Sequence, residues 1–277
     1  MTDFHDIELA IADPVAVIHL NRPEKLNAFT YRTLAEIRAA VDRAVADRRV
    51  VGIVISGRGR AFSAGLDLEV LAGTTTGAGA AAEAGAAAGA STDAAADALP
   101  GIFSYLMEVP KPVIAAVNGV AAGGGFILAM MCDLRFAAST ASFTTVFLKR
   151  GRIGEHGSTW LLPRLIGVSR ALDLLWMSDR VDAETARGLG LVDRVVGADQ
   201  LLDQACGYVR RLAETAPPAA IAETKRLLYR HLGMGYREAL TEAETSQNAF
   251  VTRADAVEGA RAFLEKRPPR FERLGDG

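Results

Sequence analysis

The stretch Val113-Ile-Ala-Ala-Val-Asn-Gly-Val-Ala-Ala-Gly-Gly-Gly-Phe-Ile-Leu-Ala-Met-Met-Cys-Asp133 joins one apolar run to another through a turn and three consecutive glycines. It reads as a strand leading into an apolar helix. Glycine has no Cβ, so a main chain there can come close to a ligand, and the first turn of a helix leaves its N–H groups unpaired and pointing outward. A polarisable oxygen fits such a place. Taken alone, the stretch is compatible with a phosphate cradle, an oxyanion hole or close packing, so the flanking sequence has to separate them.

Upstream, residues 7–11 and 15–20 flank Asp13-Pro14 and pattern as a β-hairpin. Asn21-Arg-Pro-Glu-Lys-Leu-Asn27 follows as a polar loop. In residues 30–47, Leu34, Ile37, Val41 and Val45 recur at helical spacing, and residues 50–55 form a nearly continuous β-branched run typical of a buried parallel strand. Strand, helix and strand make a βαβ unit. Beyond it, Gly57-Arg-Gly-Arg-Ala-Phe-Ser-Ala-Gly-Leu-Asp-Leu68 is a second glycine-bearing turn at the C-terminal end of a strand, the edge where open α/β sheets bind ligands. Residues 72–98 are rich in Ala, Gly and Thr and hold almost no large apolar side chain, so a mobile loop or weak helix is expected there. Residues 100–109 read as a short helix broken by Pro110-Lys-Pro112.

Downstream, residues 134–137 and 141–143 read as short strands, and a loop containing Gly154-Glu-His-Gly157 leads into a helix. From residue 169 the pattern is mostly helical, over 169–177, 183–189, 200–213, 219–232, 236–251 and 253–266, interrupted by a short strand at 191–195. The chain therefore divides into an α/β core over 1–195 and a helical region over 196–277. No internal repeat is visible.

Composition narrows the function classes. The chain has 277 residues, half of them hydrophobic, and a formal net charge of −2. That balance argues against a polyanion such as nucleic acid as the main partner. The longest apolar runs fall short of the roughly 20 residues of a membrane span, and the first residues lack a signal-peptide pattern. Cys132 and Cys206 sit in apolar helical contexts, which suggests a reducing, cytoplasmic setting.

Rival chemistries fail on spacing. Gly119 and Gly123 to Gly125 do not match Gly-x-Gly-x-x-Gly, and the acidic residue expected about 20 positions further on is missing. There is no Gly-x-Ser-x-Gly around Ser63 or Ser158. His5, His19, His156 and His231 are scattered, so no metal is expected. Two backbone donors, one from each glycine turn, could instead converge on a carbonyl oxygen as charge develops in an enolate. Losing one such donor costs about 3 kcal/mol of barrier.

Three blocks give a specific resemblance: Ala61-Phe-Ser-Ala-Gly-Leu-Asp-Leu68, Asn118-Gly-Val-Ala-Ala-Gly-Gly-Gly-Phe126 and Asn21-Arg-Pro-Glu-Lys-Leu-Asn-Ala28. Together they resemble the enoyl-CoA hydratase/isomerase (crotonase) superfamily, over residues 7–271. The resemblance implies an α/β spiral of ββα repeats (ClpP-like) with a C-terminal helical trimerisation region, as a homotrimer or dimer of trimers. It implies an acyl-CoA thioester whose carbonyl oxygen is held by the backbone N–H groups of Leu66 and Gly124. Lys25, Leu26, Ala61, Ser63, Ala64 and Asp67 would line the CoA path, and Phe263 and Lys266 would reach it from the last helix. Coenzyme A is then part of the substrate and no cofactor is implied.

The departures from the family decide the chemistry. Where the family's hydratases carry two glutamates, this chain has Ile127 and Phe147. Neither can move a proton, so both are left to line the acyl site. One carboxylate stands nearby, Glu155. In this it resembles 3,2-enoyl-CoA isomerases of the peroxisomal type, which keep a lone glutamate before a glycine. One base suffices to take a proton at C2 and return it at C4. Shift of a 3-enoyl to a 2-enoyl double bond, as in fatty acid metabolism, is thus the expected reaction. The alternatives are a hydratase in which Glu155, with His156, activates water, and a non-catalytic acyl-CoA binder. Without the family, Glu155 would be read as a carboxylate capping a helix N-terminus.

Overall fold

The computed structural model describes residues 4–67, 70 and 99–275. The segment expected to be mobile or weakly helical, 72–98, falls outside the described residues, as do residues 68 and 69.

The chain begins with strands β1 (Ile7–Ala12) and β2 (Val15–Leu20), which pair antiparallel as the hairpin pattern requires. Helix α1 (Tyr31–Ala46) follows. Its start is fixed by Thr30 and Thr33, whose side chains each accept the other's backbone N–H at 3.1 Å. At its end the Lys111 ammonium donates to the carbonyls of Ala44 and Asp47, at 3.0 and 2.8 Å. Leu34, Ile37, Ala40, Val41 and Ala44 form its buried face. Strand β3 (Gly52–Gly57), whose first five residues are buried, then runs parallel to β2 and completes the βαβ unit.

From β3 onward the chain repeats one manoeuvre. Each turn of chain adds a strand to a first sheet and a short strand to a second. These pairs are β3 with β4 (Ala61–Ser63), β5 (Val113–Val117) with β6 (Val120–Ala122), and β7 (Leu134–Ala138) with β8 (Ser142–Thr144). The first sheet also takes β10 (Arg194–Val196) and has the order β1-β2-β3-β5-β7-β10. The second ends in β9 (Val181–Asp182) and has the order β4-β6-β8-β9. β3, β5 and β7 stack in parallel, as do β4, β6 and β8. This is a spiral of strand pairs, although no repeat is visible in the sequence. The expectation of one strand running into the glycines is corrected, because β6 intervenes, and three-residue strands are too short for a period-two pattern to register.

Helix α2 (Gly124–Met131) is buried at all eight positions, as its uniform apolarity demands. α3 (Ser158–Ile166), α4 (Val168–Met177) and α5 (Ala183–Leu189) precede β10. α6 (Leu201–Thr215) packs on the first sheet through Val209, which lies against Gly52. The expected helix at 100–109 is only a 3-10 turn, Ser104–Met107, because prolines close both sides. The strand expected at 191–195 starts later, at Arg194.

The last three helices, α7 (Pro218–His231), α8 (Tyr236–Phe250) and α9 (Ala254–Leu264), bury little. α8 has no buried residue, while Leu228, Tyr236, Val257 and Leu264 stand exposed. α7 is fastened by Lys225, whose ammonium donates to the carbonyls of Leu106 (2.9 Å) and Lys111 (3.2 Å) and to Asp133 (2.7 Å). Tyr229 donates to the other Asp133 oxygen. No helix among the described residues is long and apolar enough to cross a membrane.

Candidate active site

The two glycine turns meet. A bridge between Phe29 and Leu66 is made by Phe29 N–H donating to the Gly65 carbonyl at 2.7 Å and Asp67 N–H donating to the Phe29 carbonyl at 2.9 Å. In such a parallel bridge the middle residue, Leu66, turns its own N–H to the opposite side. Gly65, in the left-handed region at φ +89°, lies so close to the second turn that a Cβ on it would stand 2.7 Å from the Ala122 carbonyl oxygen and 2.8 Å from Gly124 N. Gly124 is the first residue of α2, so its N–H has no partner within the helix. Gly123, at φ +51°, reverses the chain beneath it. Two outward backbone donors thus sit on adjoining turns.

Several side chains brace this geometry. Asn27, itself at positive φ, accepts from Arg22 N–H and donates to the carbonyls of Arg58 and Ala61. Ser63 Oγ donates to the Asn27 carbonyl at 2.8 Å and accepts from Gly65 N–H at 3.1 Å. Ala64 N–H donates to the Leu26 carbonyl. The Arg22 guanidinium holds Asp67 through two 3.2 Å contacts. Ala61, Ser63 and Asp67 are buried, Leu26 and Ala64 partly so, and Lys25 is exposed at the rim. Asp67 and Ser63 therefore spend side-chain bonds on holding the turns.

The candidate acid/base residue, Glu155, stands in a third loop. Ile127, one turn into α2, and Phe147 are both buried and apolar. A Cβ on Gly123 would meet Val146 at 3.2 Å, which brings the start of this loop against the second glycine turn. The Phe147 carbonyl accepts from Arg152 N–H at 3.1 Å, and Arg152 Nη1 donates to Glu155 Oε1 at 3.0 Å. His156 Nε2 lies 3.7 Å from Glu155 Oε2, outside hydrogen-bond reach. His156 and Gly157 are both left-handed, at φ +50° and +79°. A Cβ on Gly157 would meet Met131, at the end of α2, at 3.1 Å. Gly157, Met131 and Trp160 line one end of a cavity of about 1120 Å³ that extends to α7.

Phe263, 84% exposed, and Lys266 stand at the C-terminal end of α9, and among the described residues neither is bonded to the glycine turns. Cys132 is no nucleophile, since burial pushes its thiol up to about 12. The sequence pattern did not single out Arg152, Arg22 or Phe29. Arg152 precedes Glu155 by three positions, but that spacing carries meaning only in a helix, and this is a loop.

The family model of enoyl-CoA hydratase/isomerase matches residues 10–274, nearly the whole chain. The chain belongs to that family. A protein named probable enoyl-CoA hydratase from Rhizobium meliloti (strain 1021) is 37% identical over 259 residues, covering 93% of this chain and 94% of its own. Another of that name from Rhodobacter capsulatus is 34% identical and covers 97% and 98%. The crystal structure of enoyl-CoA hydratase from Bacillus anthracis superposes with a TM-score of 0.88 at 29% identity, covering 97% of this chain and 99% of that one. The strand-pair spiral is thus the crotonase fold, and the chain is an enzyme of the enoyl-CoA hydratase/isomerase family. The relatives are named hydratases, so the likeness to peroxisomal isomerases rests on Glu155 alone.

Proposed function

We propose that this family member shifts a 3-enoyl-CoA to a 2-enoyl-CoA. The thioester oxygen accepts from Leu66 and Gly124 N–H, and Glu155 removes the C2 proton. The electron pair delocalises over a dienolate held by those two donors, and the same carboxyl returns the proton at C4. Lys25, Leu26, Ala61, Ser63, Ala64 and Asp67 border the CoA path, and Ile127 and Phe147 wall the acyl carbons. The observation that carries the reading is that the apolar residues Ile127 and Phe147 are both buried, while the carboxylate of Glu155 stands in the neighbouring loop. A dry wall of that kind disfavours an activated water beside C3.

A second reading, hydration of a 2-enoyl-CoA with Glu155 and His156 activating water, is supported by the names of the relatives. Turnover of 3-enoyl-CoA and 2-enoyl-CoA of equal chain length, in the wild type and in Glu155→Gln, separates the two. Isomerisation lost in the variant, without hydration by either protein, supports the first. Water addition that Glu155→Gln abolishes supports the second, and CoA thioester binding with no turnover would make the chain a binder.

The exposed apolar residues of α7–α9 support a homotrimer or dimer of trimers, and Phe263 and Lys266 would reach the CoA path from the last helix. Sedimentation at three or six times the chain mass is expected, and a monomer would refute it. Two free, buried cysteines suit a cytoplasmic setting.

A further inference from the structure

The loop that carries Glu155 also carries Arg152, which contacts it. Gly151, His156 and Gly157 are all left-handed, a region in which non-glycine residues are uncommon. The main chain is pinned on both sides of the pair. Phe147 O accepts from Arg150 N–H at 2.9 Å and Arg152 N–H at 3.1 Å, and Glu155 O accepts from Ser158 N–H at 3.0 Å. Between these anchors Arg152 Nη1 reaches Glu155 Oε1 at 3.0 Å, with both side chains three-quarters or more covered. Among the described residues, Oε2 has the His156 ring at 3.7 Å and no hydrogen-bond donor within reach.

The two carboxylate oxygens are therefore not equivalent. We infer that Arg152 is the positioning residue for Glu155, engaging Oε1 so that Oε2 is the oxygen that meets the substrate. This rests on Glu155 being the proton-transfer group. The C2–H bond breaks as its proton moves to Oε2, the electron pair enters the dienolate, and the Oε2–H bond breaks as the proton reaches C4. No oxidant, reductant or co-reactant is needed.

Without Arg152 the carboxylate is free to rotate and loses its alignment, and misplacement of a reacting group by about 1 Å costs about 100-fold. The expected effect of removing Arg152 is a loss of turnover.

The test uses the full chain and 3-hexenoyl-CoA. Arg152→Gln and Arg152→Met should lower kcat at least tenfold with KM within twofold, and Arg152→Lys should recover most of the loss. Circular dichroism checks that both variants keep the fold. A kcat within twofold of wild type in both, with Glu155→Gln inactive, would overturn the role of Arg152 and leave that of Glu155 standing. A rise in KM at constant kcat would also overturn it, since Arg152 would then be a CoA contact. Full activity in Glu155→Gln would remove the premise itself.

Discussion

A Cβ on Gly65 would stand 2.8 Å from the backbone nitrogen of Gly124, closer than real Cβ contacts come. The two turns can adjoin this closely only while position 65 is glycine. Gly65→Ala also strains a backbone at φ +89°, which costs about 1–3 kcal/mol. Its kcat/KM should fall by about 100-fold or more as the donors separate. Gly124→Ala would meet Phe29 at 3.4 Å, an ordinary contact, and should keep near-wild-type stability. Thermal denaturation beside enoyl-CoA turnover checks the pair, and an active Gly65→Ala would contradict the convergence of the donors.

Asp6 ties the N-terminus to α1 and gives stability a pH dependence. Burial pushes its carboxyl up, but hydrogen bonds from Thr33, His5 and Thr30 and the Arg22 charge outweigh burial and hold it below the ordinary 3.8. A depressed carboxylate stabilises the fold above its unfolded value, and that contribution is lost as pH falls through the folded one. Asp6→Ala should therefore lose about 1.5–3 kcal/mol at pH 7. The gap to wild type should close as pH drops below 3.8. Melting temperatures from pH 7 to pH 3 would show this, and a gap that widens on acidification would refute it.

Lys225 holds α7 to the core, at the far end of the stretch that begins at Val113. Burial lowers its pKa and the Asp133 charge opposes this, so the ammonium is retained by its partner. Asp133 in turn accepts from Val113 N–H at 2.7 Å. Lys225→Met leaves that carboxylate without its ammonium and should cost about 3–5 kcal/mol. Asp133→Asn in the same chain should recover part of the loss. Urea denaturation of the double-mutant cycle measures the coupling, and strict additivity would contradict it.

Much of this was legible in the sequence because it rests on periodicity and glycine. α1 shows in the spacing of Leu34, Ile37 and Val41, β3 in its β-branched run, and the site's centre in Gly65 and Gly123 to Gly125. The second sheet was not legible, since β4, β6 and β8 are three residues each and their partners lie a full spiral turn away in sequence. The coupling of Arg152 to Glu155 was hidden for a similar reason. It depends on left-handed turns at Gly151, His156 and Gly157, and only glycine announces those in a sequence.

In the proposed reaction one carboxylate moves a proton between C2 and C4 without adding water. That transfer is tested most directly by incubating the protein with 2-hexenoyl-CoA in deuterated water and following the thioester by NMR. Deuterium should enter at C2 and C4, with 3-hexenoyl-CoA in equilibrium, no 3-hydroxyacyl-CoA, and no exchange in Glu155→Gln. Accumulation of 3-hydroxyhexanoyl-CoA would contradict it and assign Glu155 to hydration.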